Sequence, residues 1–468
     1  MNDNCQIFTP ATIANKMLDI VGYKVDLYGR KVLENSCGDG SILSLIVERY
    51  IVDAEIHGMN CDQIRAGLTR DIWAAEIDKK HICRCICNLD EIAALHNIIN
   101  VHWNILNEDI LRKPYEIKFD YVIGNPPYIS YWYLSNEDRS FLKSSYSVCS
   151  EGCFDYCYAF IESGIQSLNE YGKLIYLIPN SIFKVRFAYQ LRKMMMSYLT
   201  EVYDYTTLKL FDDALTSSAL ILLDRNNNVP SIKYFDIVKE KVETILKNNL
   251  NNGKWIFSDT TNSYAKRFDD YFHVGTSVAT QKNDIFVLSE YQISGEYLLH
   301  EGYYIEIALL RKAESPRNRQ LNKQEYIIFP YRYENNKIIR YTEEEFAFTF
   351  PEGYKYLLSK QHVLKERDSD KNCKWFEYGR TQALSHLNKE KLMISTVITN
   401  AINVYKLEPS AIPYSGIYIT PKSSLTLDDA IIILQSRSFQ NYIHSVGINA
   451  NGSSVRICCQ DIKNFTFE

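Results

Sequence analysis

Between Lys31 and Leu223 the chain alternates short apolar runs with amphipathic stretches, and that alternation leaves few folds open. Strands are expected at Lys31–Glu34, Asp71–Asp78, Val101–Ile105, Tyr121–Ile123, Gly172–Pro179, Glu201–Tyr205 and Ser218–Leu223. Helical patterns fill the gaps: one opens near Ser41, and others run over Cys61–Leu68, Lys79–His96, Phe154–Leu168 and Phe183–Tyr198. Strands separated by helices predict a parallel sheet covered on both faces, here a Rossmann-like α/β sheet of seven strands. Such a sheet binds its ligand at the carboxyl ends of its strands, so the residues just past each strand are the ones to inspect.

Those positions carry a coherent set. The first strand runs into Glu34-Asn35-Ser36-Cys37-Gly38-Asp39-Gly40, a turn of small residues that lets a ligand approach the backbone at a helix start. The second ends at Glu76, where an acidic residue holds ribose hydroxyls in sheets of this kind. Asp109 follows the third and can accept a hydrogen bond from a ligand amine, although a plain surface turn would also carry it. The fourth stops at Gly124-Asn125-Pro126-Pro127-Tyr128. Two prolines fix two φ angles and remove two donors, which leaves the Asn125 side chain, the neighbouring carbonyls and the Tyr128 ring as a rigid grip for a planar amino-bearing molecule.

Ahead of the sheet, Phe8-Thr9-Pro10 precedes an amphipathic helix over Ala11–Val21, with Thr9 placed as its N-cap and Pro10 at its first position. Ser130–Cys153 is polar and aromatic and reads as a mobile loop. His81, Cys83, Cys85 and Cys87 fall on a helix, where such spacing does not converge on one metal ion. No metal is expected.

Composition narrows the class. The 468 residues exceed one ordinary core, and the polar break Asp224–Pro230 divides them into expected domains at 1–228 and 229–468. Neither a membrane-length apolar run nor a leader-like N-terminus is present, and the 12 scattered cysteines suit a reducing cytoplasm. Residues 1–230 carry 22 Lys and Arg against 29 Asp and Glu, whereas the remainder carries 30 against 28. A polyanion is therefore expected to be gripped by the second half, through local patches.

Taken in order, Phe8-Thr9-Pro10, Asn35–Gly40, Glu76, Asp109 and Asn125–Tyr128 resemble the gamma class of DNA adenine methyltransferases. One departure is visible: the family's Asp/Glu-Pro-Ala-Cys-Gly loop is here Glu34-Asn35-Ser36-Cys37-Gly38. The resemblance implies a class I methyltransferase sheet, S-adenosylmethionine as cofactor, and transfer to the 6-amino group of adenine flipped out of double-stranded DNA. It places Phe8, Thr9, Pro10, Glu34, Ser36 and Gly38 near the methionine part of the cofactor. Glu76 and Ile77 fall by its ribose and ring, and Asp109 and Ile110 by its adenine. Asn125, Pro126, Pro127 and Tyr128 become catalytic, with Phe211 as the second ring against the flipped base. Lys184 and Arg186 are implied phosphate contacts.

The second half loses the strand–helix rhythm and is expected to be a mixed α+β target-recognition domain, with Lys282, Arg311 and Arg380 as DNA-contacting candidates. Further basic residues cluster at Arg317, Arg319 and Lys323, and at Lys360, Lys365, Arg367, Lys371 and Lys374. A stand-alone modification enzyme of a prokaryote or phage follows from the resemblance, with a separately encoded restriction endonuclease as a possible companion. The competing readings are a methyltransferase of protein glutamine or RNA, and a non-catalytic DNA-binding subunit.

Overall fold

The computed structural model describes residues 9–206, 208, 210, 217–227, 229–250, 253–257, 264–450 and 452–468. The chain forms two compact units, Met1–Asp259 with Ile448–Ser453, and Thr260–Gly447 with Ser454–Glu468.

The first unit is built on α1 (Ala11–Val21), β1 (Val32–Glu34), α2 (Ser41–Ile56), α3 (Cys61–Asp71), β2 (Ile72–Ala75), α4 (Lys79–Leu95), β3 (Asn104–Leu106), β4 (Phe119–Gly124), α5 (Asn136–Ser145), α6 (Cys157–Ser167), β5 (Leu168–Pro179), α7 (Tyr189–Met195), β6 (Leu199–Asp204), β7 (Ser218–Asp224), β8 (Ser231–Asp236) and β9 (Lys241–Leu246). They make one sheet in the order β3-β2-β1-β4-β5-β7-β6-β8-β9. Pairing is parallel from β3 through β5, and β7 inserts antiparallel between β5 and β6. The seven expected strands are all present. Two more, β8 and β9, lie beyond residue 228, so the sheet continues past the expected boundary and the first unit closes at Asp259. The polar break at Asp224–Pro230 falls between β7 and β8, two strands of the same sheet with β6 between them.

Side-chain alternation explains why both faces are covered. On β5, Leu174, Tyr176 and Ile178 pack with α6 and α7, whereas Ile175 and Leu177 pack with α1, α2 and α4. A strand buried on both faces has to read as a continuous apolar run, as Leu174–Ile178 does. Cys85 of α4 is buried while Cys83 and Cys87 are exposed, so the three thiols diverge from one helix. Gly40 is what lets α4 come close. Its φ is +88°, and a Cβ there would stand 2.7 Å from the Cys85 Sγ.

Two local expectations change. Ser130–Cys153 is ordered: a single 3-10 turn spans Tyr131–Tyr133, α5 follows with Ser135 as its cap, and another 3-10 turn covers Ser147–Cys149. Its apolar residues Leu142, Tyr146 and Val148 join the core and hold it down. Thr9 does not cap α1: Pro10 occupies the cap position and no side chain bonds there. Among the described residues, no helix is long and apolar enough to cross a membrane.

The second unit is mixed α and β. One four-stranded antiparallel sheet orders Phe272–Thr276, Ile417–Pro421, Lys391–Ile394 and Tyr405–Leu407, and a mixed four-stranded sheet orders Val287–Leu288, Glu325–Ile328, Leu310–Glu314 and Ile412–Pro413, its last pair parallel. Phe286, Ile327, Phe346, Tyr356 and Tyr378 lie at the centre of its core.

Candidate active site

The carboxyl ends of β1 to β4 meet in one polar rim. The turn after β1 is fastened to its neighbour: the Cys37 N–H donates to the Ala75 carbonyl at 3.0 Å, and the Gly38 N–H donates to Glu76 Oε2 at 3.0 Å. Glu76 Oε1 accepts from the Ile77 and Asp78 N–H groups, both at 2.9 Å. From the far side, the Asn107 amide donates to the Glu76 and Ile77 carbonyls at 3.1 and 3.0 Å. Three backbone donors therefore hold one carboxylate in a single orientation, half-buried, with acceptor capacity left over for hydroxyl groups.

Behind it lies Glu34, 2% exposed, whose Oε2 finds no hydrogen-bond partner in the protein. Burial pushes its carboxyl well above the usual carboxylate range, and the nearby Cys85, Asp39 and Glu76 push the same way. Asn35 is also buried, its amide facing the Tyr176 hydroxyl beside Gly124 at a separation too long for an ordinary hydrogen bond. Thr9 is buried as well, at 6% exposure. Buried polar atoms without partners are uncommon in folded proteins, and Glu34 Oε2 and the Asn35 amide both stand at the start of the glycine turn.

Asp109 accepts from the Leu111 N–H at 3.0 Å and faces Arg112 at 3.4 Å and the Tyr156 hydroxyl at 3.5 Å. Burial raises its pKa, against the pull of the Leu111 N–H and Arg112. Arg112 reaches on to Asp138 of α5 at 2.8 Å and lies 4.2 Å over the Phe141 ring. The segment after Tyr128 is thereby tied to the third strand end. Sequence reasoning missed Arg112, Asn107 and Tyr156. Arg112 had a signal, since it sits three residues beyond Asp109 in a turn; Tyr156 had none, because only the fold brings it there. Ile110 is buried beneath the rim at 3% exposure.

The Asn125 turn closes the rim. Ser36 Oγ donates to the Asn125 carbonyl at 3.3 Å, joining the first and fourth strand ends directly. The Tyr128 hydroxyl lies 2.7 Å from Asn125 Oδ1 and 2.8 Å from the Leu177 carbonyl. One proton serves only one of two acceptors, so the hydroxyl alternates between the turn and β5. Burial pushes the Tyr128 hydroxyl well above its ordinary pKa and keeps it a neutral donor. The Tyr128 ring itself packs partly against the core. Pro126 is buried and Pro127 half-buried. Phe8 and Phe211 lie outside the described residues.

The basic candidates separate by placement. Arg186 is exposed, its guanidinium 5.9 Å from the Phe187 ring, and Lys184 ends the 3-10 turn Asn180–Phe183. In the second unit, Arg311 lies 5.6 Å over Phe329 and Lys282 is half-buried beside Thr280. Arg380 is held between Asp370 at 2.6 Å and Asp368 at 3.2 Å. Arg367 of the second basic run is committed internally, donating to the carbonyls of Leu364, Thr280, Trp375 and Glu377.

The strand order of β3 through β6, with β7 antiparallel, is the sheet of class I methyltransferases, and the rim lies where such sheets bind their ligand. Residues 43–211 match the family described as Eco57I restriction-modification methylase. The matched residues lie within the first unit. The Escherichia coli type II restriction enzyme and methyltransferase RM.Eco57I is 22% identical to this chain, covering 65% of it and 35% of the relative. The Geobacillus stearothermophilus type II methyltransferase M.BstVI is 20% identical over 98% of the chain and 88% of the relative. This chain thus spans about a third of the first relative's length and most of the second's. Among solved structures, the type IIL restriction-modification enzyme MmeI in complex with DNA aligns with 97% of this chain and 64% of its own, at 13% identity and a TM-score of 0.63. That likeness is one of fold.

Proposed function

We propose that this protein transfers a methyl group from S-adenosylmethionine to the 6-amino group of adenine in double-stranded DNA. The observation that carries the reading is the Asn125 turn, held by Ser36 against the glycine turn and by Tyr128 against β5. It presents fixed acceptors at the rim where a cofactor would lie.

The residues present fit that cofactor. Glu76 offers an oriented carboxylate to ribose hydroxyls, and Asp109 an acceptor to the adenine amine. Glu34 offers a buried carboxyl with one unpartnered oxygen to the cationic methionine end, and a positive group beside it would favour its ionised form. When bound, S-adenosylmethionine supplies an electrophilic methyl group on a sulfonium.

The chain's own work is positioning. An adenine amine is a weak nucleophile because its lone pair is delocalised into the ring. Asn125 Oδ1 and the Pro126 carbonyl accept its two hydrogens, draw the nitrogen toward tetrahedral geometry and free the lone pair. To accept from the amine, Asn125 has to give up the Tyr128 hydroxyl, which still has the Leu177 carbonyl to bond. Holding nitrogen, methyl and leaving group in line is worth a large share of such a barrier. The base is inaccessible inside a duplex and must be flipped into the site, where Tyr128 and Phe211 are assigned to its two faces. Lys184 and Arg186 are assigned to the adjacent phosphates, and the second unit to target recognition through Lys282, Arg311 and Arg380. A restriction endonuclease of the same specificity is the proposed companion.

The test is to incubate the protein with unmethylated duplex DNA and isotopically labelled S-adenosylmethionine, then map the modified bases by sequencing. Label on N6 of adenine within one sequence context is the expected result. Label on cytosine only, or on RNA or protein and never on DNA, would overturn the reading.

A further inference from the structure

The turn that follows Tyr128 presents aromatic side chains to solvent on a rigid mount. Tyr131–Tyr133 form a single 3-10 turn. On its near side, Ser130 pairs with Asp155, and the Tyr156 N–H donates to the Ile129 carbonyl at 2.9 Å. From α5, Arg139 donates to the Tyr131 carbonyl at 2.9 Å and the Trp132 carbonyl at 3.0 Å, with its guanidinium 4.5 Å from the Tyr131 ring. Tyr131 in turn meets the buried Phe154 edge-on at 5.3 Å. The backbone is fixed and Tyr131 is anchored, yet Trp132 is 70% exposed and Tyr133 80%. Of the protein's five tryptophans, Trp132 alone is exposed.

The surroundings say what kind of partner this suits. Ser135, Asn136, Glu137 and Ser140, close to the two rings in sequence, are exposed and polar, unlike the apolar surroundings that a protein partner buries. The acidic pair Glu137 and Asp138 is turned to Arg112, at 3.7 and 2.8 Å, while Lys143 and Arg139 lie against Tyr131. Trp132 follows Tyr128 by four residues, which keeps its Cα within about 14 Å of the Asn125 turn. That span covers only a few base-pair steps. A base drawn out of a duplex leaves an unstacked gap beside the site, and an aromatic ring inserted there recovers the lost stacking.

We infer that Trp132, flanked by Tyr133, is a wedge that enters duplex DNA beside the target adenine and stacks in the space the flipped base leaves. The inference rests on the DNA-methylation reading above and adds to it a residue that contacts the DNA stack.

The wedge is tested with the full chain and a duplex carrying the mapped target adenine. Trp132→Ala is expected to lower kcat/KM about tenfold, the factor ordinary base–aromatic stacking supplies, with cofactor affinity unchanged, while Trp132→Phe keeps most of the activity. An abasic site opposite the target removes the pairing that the wedge helps to break, so Trp132→Ala should regain wild-type activity on that duplex. DNA should also quench the exposed-tryptophan emission of the wild type and leave that of Trp132→Phe unaltered. Full activity of Trp132→Ala on the paired duplex overturns the wedge, and so does an equal loss on both duplexes. A wild type that modifies no DNA at all is a different result: it removes the methylation reading, and the wedge with it.

Discussion

The two units differ in how they treat buried polar groups at one place, the strand-end rim. In the second, every prominent buried charge is answered by the protein itself. Lys391, fully buried, donates to the carbonyls of Glu408, Pro409 and Ala411 at 2.8, 3.2 and 2.9 Å. Glu377 is met by Arg340 and by the Lys374 N–H, and Arg367 by four carbonyls. In the first, Asp71 is answered in the same way by Arg70, the Tyr50 hydroxyl and the Gly29 N–H, but Glu34 Oε2 and the Asn35 amide sit buried at the strand ends without partners. A satisfied buried charge holds a fold together; an unsatisfied one costs stability and is tolerated where a ligand completes it.

The largest expected effect is at the acceptor itself. Asn125→Ala should lower methyl transfer at least about 10³-fold, the order seen when a donor or acceptor aimed at the reacting atoms is lost, with cofactor affinity by calorimetry unchanged. Unaltered turnover would deprive the turn of its role. Next, Glu76→Ala removes a carboxylate held by three N–H groups. Cofactor affinity should fall about 10²-fold, the worth of charge-assisted hydrogen bonds, whereas a fall in turnover at saturating cofactor without any in affinity would break the assignment.

The remaining pair tests the comparison directly. Lys391→Met strips three carbonyls of their donor and should cost about 2 kcal/mol of stability at pH 7, with cofactor affinity untouched. Burial lowers the Lys391 pKa to about 8, below its unfolded value, so folding expels a proton. Wild-type stability should therefore rise between pH 8 and the unfolded pKa of about 10.4 relative to the Met variant; thermal denaturation at the two ends of that window measures the slope. Glu34→Gln should do the reverse. Its raised pKa means the carboxyl costs stability above the unfolded pKa of about 4.3. The ligand-free variant should then melt no lower than wild type at pH 8, with any gain vanishing below pH 4, while cofactor affinity falls about tenfold, one pKa unit of interaction. A destabilised Glu34→Gln that binds cofactor normally would make Glu34 a structural group and erase the contrast.

The sheet of the first unit was legible because apolar runs such as Leu174–Ile178 are buried on both faces and have to be continuous. Its rim followed, since strand ends in such a sheet are where ligands bind: Gly38, Glu76, Asp109 and Asn125 were all found there from the sequence. What escaped were interactions across large sequence separations. Asp224–Pro230 looked like a domain break, yet β8 pairs with β6 across it, and no local signal distinguishes a connection within one sheet from a linker. Ser130–Cys153 looked mobile because its polar surface dominates its composition, although Leu142, Tyr146 and Val148 pin it to the core.

The sequence alone determined the kind of sheet, the order of the strand-end residues and the chemistry those residues offer, because periodicity and turn composition are local properties. Only the tertiary structure decided which of those groups are spoken for. Arg367 and Arg380 are both basic in the sequence, and the fold spends one on carbonyls and pairs the other with two aspartates. Glu34 and Glu377 are both buried acids, and the fold meets one with an arginine and leaves an oxygen of the other without a partner. Burial and partnership depend on which distant segments arrive beside a side chain, and no stretch of local sequence records that.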